Sequence, residues 1–361
     1  MHPITVEAPL SSRLTAFERF PLLEGDTPIQ GLHRLSSNLK GVRLYVKRDD
    51  LLGVGGGGNK LRKLEFLIGD ALTKSCDTLI SFGGRQSNHA RLSAAAAARA
   101  GMRCELILTP SGARSDDDFM MNGNVLLDEI LGANIHFLPH GIDPIAYADE
   151  LAVTLTKQGR RPYLTPLAGS SPVGCLGYAN AAAEIQRQSI TMGLQFAQVV
   201  LPNGSGGSQA GLIAGYQAMG LDPRVIKSYT VLSEHSSALE ITTAKTRETL
   251  ALLSPASILD EGAVLIDGQH LGDGYGVPTE EMLSAVRGLA RTEGLLVDPV
   301  YGGKAFAGLL FDIELGLYPP GTNLLYIMTG GTPGLFAYRN AFDKTSDSSS
   351  KAHLKTTEHH Q

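Results

Sequence analysis

The chain has 361 residues, 43% hydrophobic and 19% charged, with 42 glycines. That length predicts about two domains, or one large α/β unit, with ample material for a buried core. Its 31 basic and 36 acidic residues leave a formal net charge of −5, so no single-sign field points to nucleic acid or an acidic membrane surface as partner.

No apolar run approaches a membrane span, and MHPITVEAPL at the start carries no basic stretch followed by an apolar core. Cys76, Cys104 and Cys175 make an odd count in apolar or small-residue surroundings. They read as reduced core residues, and no CxxC pair suggests metal or redox work. These features predict a soluble, globular, cytoplasmic protein.

The first segment with chemical content is VKRDDLLGVGGGGNKLRKLEFL, Val46 to Leu67. Gly55 to Gly58 give a backbone able to come close to a ligand, and Asn59 can cap the helix that follows. Leu61, Leu64, Leu67, Ile68, Ala71 and Leu72 are spaced to bury one helical face. Lys60 then stands at the helix entrance behind a glycine run, which presents its amine to a ligand as Schiff-base chemistry requires. A solvated lysine after a flexible loop is the alternative. Gly53, Gly55 and Gly58 match GxGxxG, but KRDDLL before them is too charged for a central strand. The phosphate-loop signature also fails, because Asn59 and not lysine follows Gly58.

Asp77 to Phe82 (DTLISF) reads as a strand, and Ser87 to Ala100 as a helix that stops at Gly101. Between them, two glycines lead into Gln86, Ser87, Asn88 and His89. The unpaired N–H groups of a first helical turn form a natural seat for a carboxylate, although an ordinary cap by Ser87 or Asn88 explains the pattern as well. MRCELIL (Met102 to Leu108) and NIHFL (Asn134 to Leu138) continue as buried strands, followed by QVVLP (Gln198 to Pro202). After that strand Gly204, Ser205, Gly206, Gly207 and Ser208 lie before a helix, a nest of N–H groups and hydroxyls that suits a phosphate better than a plain turn. A dinucleotide fingerprint fails there, because Gln209 stands where its third glycine belongs.

SYTVL (Ser228 to Leu232), AVLI (Ala263 to Ile266) and LLYIM (Leu324 to Met328) complete the strands. Tyr275 sits in a Gly-bounded loop, Tyr301 precedes Gly302 and Gly303, and Thr329 to Gly331 end the last strand. A lone tyrosine is usually amphipathic packing. The β-α alternation predicts parallel, doubly wound sheets buried on both faces. Asp343 to Gln361 is polar and reads as a disordered tail.

KRDDL…GGNKLRKLEFL, QSNHAR, GSGGSQAG, GYGVPTEEM, DPVYGGKAFAGL and TGGTPGLFAY follow one another between Lys47 and Tyr338. As an ordered set they resemble the fold-type II pyridoxal phosphate enzymes of the tryptophan synthase β-subunit superfamily. Within it they look like the branch containing D-cysteine desulfhydrase and 1-aminocyclopropane-1-carboxylate deaminase. The resemblance implies that Lys60 holds pyridoxal 5'-phosphate and later moves the substrate Cα proton. It implies that Asn88 bonds the cofactor's ring hydroxyl, and that Lys63 with Gly204, Ser205, Gly206, Gly207 and Ser208 anchors its phosphate. Ser87, with the backbone around Asn88 and His89, matches the substrate carboxylate site. Tyr275 and Tyr301 match two tyrosines near the substrate.

Departures narrow the branch. The cyclopropane deaminases carry glutamate, leucine and glutamine where this chain has Gly302, Thr329 and His89. Thr329 becomes the expected partner of the ring nitrogen, and a hydroxyl leaves that ring a weaker electron sink than a carboxylate would. That suits loss of a thiolate better than opening of a cyclopropane. Gly302 differs from the small hydroxyl residue common in the desulfhydrases, and would open space for a larger substrate.

The implied architecture is two doubly wound α/β domains, tryptophan synthase β-like, with the cofactor in the cleft. Residues 1–60 and 173–342 would form the larger domain and 61–172 the smaller. The implied activity is β-elimination from D-cysteine to pyruvate, sulfide and ammonia by a cytoplasmic homodimer, with no metal. Cyclopropane-carboxylate deamination, and elimination from or racemisation of cysteate, chloroalanine or serine-like substrates, are the alternatives. A nucleotide-binding dehydrogenase or a non-catalytic binder is the reading from outside the class.

Overall fold

The computed structural model describes residues 9–110 and 114–343. The tail predicted to be disordered lies, beyond Asp343, outside the described residues. The apolar runs become β1 (Ile29–Gly31), β2 (Arg43–Lys47), β3 (Thr78–Gly84), β4 (Arg103–Thr109), β5 (Asn134–Phe137) and β6 (Pro162–Leu164). They continue as β7 (Gln198–Asn203), β8 (Ile226–Thr230), β9 (Leu265–Asp267) and β10 (Asn323–Ile327). The longer helices are α1 (Lys60–Thr73), α2 (Asn88–Arg99), α3 (Asn124–Ile130), α4 (Pro144–Lys157) and α5 (Pro172–Met192), then α6 (Gly207–Ala218), α7 (His235–Leu253), α8 (Glu280–Glu293) and α9 (Gly302–Glu314).

Two sheets result. One runs β5-β4-β3-β6 and is parallel throughout. The other runs β1-β2-β10-β7-β8-β9 and is parallel except for the β1–β2 edge. Apolar clusters cover both faces of each sheet, as connections through helices require. β1, β2 and β6 are absent from the sequence reading. Two have only three residues, too few to show a pattern, while β2 ends on a charge. The strands expected at Ser228 and Ala263 begin at Ile226 and Leu265 instead.

The helix α1 connects the two cores. Leu61, Leu64, Leu67, Ile68 and Ala71 belong to the cluster beneath the four-stranded sheet, whereas Phe66 packs with Leu176 and Tyr178 of α5. Leu72 departs from the expected apolar face. It stands in the last turn, 40% exposed, where the flanking elements no longer cover the helix. Cys104 and Cys175 are buried, Cys76 is half-buried, and all three are free thiols.

Charge also lies inside. Arg62 of α1 donates to Asp49 from Nε (2.9 Å) and Nη2 (2.7 Å), and to Glu184 of α5 from Nη1 (2.7 Å). Lys47, the last residue of β2, pairs with the same Glu184. Tyr178 and Thr27 donate to Asp49 at 2.8 and 2.9 Å. None of the four charged side chains is more than 3% exposed. Each buried charge has an opposite partner, and the expectation that KRDDLL is too charged for a central strand holds, because only Lys47 of that run lies in β2 while Asp49–Leu51 form a 3-10 turn. Burial pushes the Asp49 carboxyl up, but Arg62, Lys47 and the Tyr178 hydroxyl outweigh it and hold its pKa below the usual range.

Breaking such a network leaves charges uncompensated. Glu184→Gln is expected to cost about 3–5 kcal/mol in urea unfolding. Lys40→Ala, which removes the exposed pair with Glu314, is expected to stay within about 0.5 kcal/mol. Equal small effects would show the network to be idle.

Candidate active site

The strands of both sheets end around one cavity of about 920 Å³. Gly83 and Gly84 reach it from β3, Thr109 from β4, Thr165 from just beyond β6, Asn203 from β7 and Thr329 from just beyond β10. Carboxyl ends of parallel strands are where α/β sheets bind ligands. Lys60, Ser87, Asn88, His89, Gly204 to Ser208, Tyr275, Tyr301 and Thr329 all line this cavity. Lys63 does not, and lies one layer beneath it. Gly55 to Gly58, expected to approach a ligand, are also absent from the lining and rest against α2 instead.

Lys60 is the first residue of α1. Asn59 precedes it in αR conformation and makes no capping hydrogen bond, contrary to the cap expected of it. Its side chain turns to the cavity, donating to Ser208 Oγ (3.3 Å) and accepting from Lys60 Nζ (3.0 Å). Lys60 forms no ion pair among the described residues. Burial lowers its amine to about 8, and the Asp298 charge only partly opposes this.

The first turn of α2 forms a second wall. Ser87 caps the helix by accepting from the Ala90 N–H at 3.1 Å. The N–H groups of Asn88 and His89 have no intrahelical acceptor, so the cap by Ser87 leaves donors free beside it. Asn88 Oδ1 accepts from Asn124 Nδ2 at 3.0 Å, which fixes its orientation. His89 is held neutral, because burial and then Lys60 and Lys63 push its pKa well below the usual range.

The loop after β7 forms a cup. Gly206 is left-handed at φ +80° and opens α6. A Cβ at Gly207 would stand 2.4 Å from Ser170 Oγ and 2.8 Å from Lys63 Nζ. Lys63 donates to Ser170 Oγ (2.9 Å), which shares a hydrogen with Ser205 Oγ (2.7 Å). Lys245 of α7 donates to Ser205 O at 2.9 Å. Burial lowers Lys63 to about 7, with the Lys60 charge adding to the shift. Neither Ser170 nor Lys245 was singled out from the sequence, because each is a lone polar residue far along the chain from the loop it supports.

Tyr275 and Tyr301 complete the enclosure, their hydroxyls 2.6 Å apart. Burial raises both phenols above their ordinary range, so both remain protonated. Lys304 of α9 holds the Tyr275 loop through Leu271 O (2.6 Å) and Gly274 O (2.8 Å). Asp298 holds Tyr301 by accepting from the N–H groups of Val300, Tyr301 and Gly302 at 2.9, 2.7 and 2.9 Å. A Cβ at Gly302 would meet Asp298 and Val297 at 3.1 Å, and Gly302 does not line the cavity. It therefore opens no space for a larger substrate. The Thr329 hydroxyl makes no hydrogen bond to another described residue, while its carbonyl accepts from Asn59 N at 3.0 Å.

The family model described as "Pyridoxal-phosphate dependent enzyme" matches residues 21–330, and the chain belongs to that family. Over 334 residues it is 39% identical to a 1-aminocyclopropane-1-carboxylate deaminase of Burkholderia ambifaria, covering 91% of this chain and 98% of that protein. It is equally 39% identical, over 330 residues, to a D-cysteine desulfhydrase of Serratia proteamaculans, with the same coverage. A crystal structure described as an ACC deaminase homologue superposes with a TM-score of 0.82 at 34% identity, covering 95% of this chain and 99% of that one. The fold is fold type II, α/β with parallel sheets.

The residues present fit the family's cofactor. The Gly204–Ser208 loop turns its backbone and two serine hydroxyls to the cavity, with the Lys63 amine beneath it, a donor set that suits a phosphate. Lys60 offers an amine unpaired with any carboxylate, and the Thr329 hydroxyl is unengaged. Among the described residues no metal-binding cluster is found, and no helix is long and apolar enough to cross a membrane.

Since its pKa is lowered, Lys60 is half neutral near pH 8 and becomes charged as the pH falls. In cofactor-free protein, labelling of Lys60 by a small amine-directed reagent, followed by peptide mass spectrometry, is expected to rise with a midpoint near pH 8. A lysine in a short unstructured peptide should label with a midpoint more than a unit higher. Coincident midpoints would contradict the desolvated site.

Proposed function

We propose that this chain catalyses pyridoxal phosphate-dependent β-elimination from D-cysteine, releasing pyruvate, sulfide and ammonia with consumption of one water. The observation that carries the reading is a half-buried lysine, in no ion pair among the described residues, facing the same cavity as an anion cup and a hydrogen-bonded tyrosine pair. In this reading Lys60 holds the cofactor. Asn88 would bond its ring hydroxyl, the Gly204–Ser208 loop with Lys63 would hold its phosphate, and Thr329 would partner its ring nitrogen. Bound there, the cofactor withdraws electrons and stabilises negative charge at Cα.

The chain's own groups do the rest. Ser87 and the N–H groups of the first turn of α2 hold the substrate carboxylate, favoured by the positive end of the helix. Neutral His89 adds no competing charge. Lys60 Nζ takes the Cα proton, and its lowered pKa suits it to act as a base near neutrality. The Tyr275–Tyr301 pair keeps both phenolic protons, so one remains to donate to the departing sulfur. The apolar walls at Leu164, Leu167 and Leu232 limit water around these groups.

Overall similarity does not choose between the two activities, since relatives of both names are equally close. Individual residues favour elimination. Thr329 offers the ring a hydroxyl, and a glutamate at position 302 would place a second carboxylate against buried Asp298. On the same resemblance we infer a homodimeric cytoplasmic enzyme. The separate sheets support residues 61–172 as the smaller domain, with 1–60 and 173–342 as the larger.

The test is release of sulfide and pyruvate from D-cysteine by cofactor-saturated protein, run beside L-cysteine and 1-aminocyclopropane-1-carboxylate. Sulfide from the D-isomer is expected, with Lys60→Ala at least about 1,000-fold slower. Turnover of the cyclopropane without D-cysteine would move the assignment to the deaminase, and a fully active Lys60→Ala would end it.

A further inference from the structure

Gly55 to Gly58 form a strap with four consecutive residues at positive φ: +61°, +78°, +80° and +135°. L side chains avoid that region, and four such glycines give up more chain entropy on folding than other residues would. A strap of this kind does not hold its own shape, so its neighbours must. A Cβ at Gly55 would stand 2.4 Å from Ala95 Cβ of α2, and one at Gly57 would stand 2.4 Å from Asp50 O. The strap is thus wedged between the Asp50–Leu52 turn and α2.

The polar hold comes from a single side chain. Arg91 of α2 is fully buried, donating from Nη1 to Gly55 O and from Nη2 to Gly57 O, the latter at 3.0 Å. A planar fork with two parallel donors is what two carbonyls of one loop require. Beneath it, Asp128 of α3 is buried with both carboxylate oxygens unpartnered. Burial pushes that carboxyl up to about 8, with Arg91 pulling it back. Among the described residues the guanidinium bonds only the strap carbonyls and forms no ion pair. Immediately after the strap, Gly58 bridges to Gly330, and Asn59 bonds Thr329 before Lys60 begins α1.

Arg91 lies one helical turn after Ser87. It joins the helix that seats the substrate carboxylate to the segment that carries the reactive amine. We propose that Arg91 is a positioning residue that sets where Lys60 stands relative to Ser87, Asn88 and His89, an inference that rests on the assignment of Lys60 as the reactive amine. Arg91 does not line the cavity, and acts only through the backbone it clamps.

Arg91→Met and Arg91→Lys holoenzymes test this. Both are expected to keep the wild-type cofactor content per chain, because the phosphate cup is untouched. In both, the visible absorbance band of the bound cofactor should titrate at a shifted pH, since the Lys60 amine has moved. With D-cysteine, kcat per bound cofactor should fall about tenfold or more in Arg91→Met while KM changes little. Arg91→Lys, whose amine cannot span both carbonyls, should lie between. An unshifted titration with kcat per bound cofactor within about twofold of wild type would overturn the proposal. So would losses that merely track cofactor content. Should Arg91→Met fail to fold, Arg91→Lys decides alone. A wild type without a visible band would end the Lys60 assignment, and this proposal with it.

Discussion

The Arg62 guanidinium spans Asp49 and Glu184 in the protein interior, where a charge left unpaired would be prohibitive. Its demand for two carboxylates in one geometry fixes β2, α1 and α5 relative to one another. The site inherits that constraint. Lys60, Arg62 and Lys63 occupy a single turn of α1, and successive residues on a helix point about 100° apart. With Arg62 pinned inward, Lys60 is turned to the cavity and Lys63 to the underside of the cup. One residue with no chemical task thus determines the direction of two that have one.

The cavity itself is nearly free of formal negative charge. Lys60 in its wall and Lys63 beneath it are desolvated, its histidine is neutral, and its tyrosines are protonated. The only buried carboxylate close to Lys60 is Asp298, and three backbone N–H groups occupy it. Such an arrangement stays poorly stabilised until anionic groups arrive. A phosphate and a carboxylate supply the charge that the protein withholds, so affinity for them follows from the site's own deficit.

Much of this was legible in the sequence. The helix from Asn88, the cup from Gly204 and the lysine at position 60 each follow a strand end or glycine run that the chain displays openly, and local punctuation of that kind survives folding. What was not legible depended on distance along the chain. Ser170 and Lys245 matter because they meet Ser205, and nothing local marks either. Lys47 gave no sign of ending a strand, because a buried charge there is tolerated only through Glu184, 137 residues later. Asn59 misled: a residue of the right type stood at the right place, but the cavity offered its amide better partners than the helix did. Gly55 to Gly58 show that a glycine run can signal protein packed tightly against it as easily as a ligand.

The buried cysteines have a bearing on compatibility with the proposed chemistry. Burial raises the Cys175 thiol, although Lys63 nearby pulls it back, and Cys104 is raised as well. A thiolate close to an electrophilic aldehyde would add to it, competing with the lysine and with any thiol-bearing substrate. Keeping Cys104 and Cys175 protonated and enclosed withholds the chain's own soft nucleophiles from the cofactor.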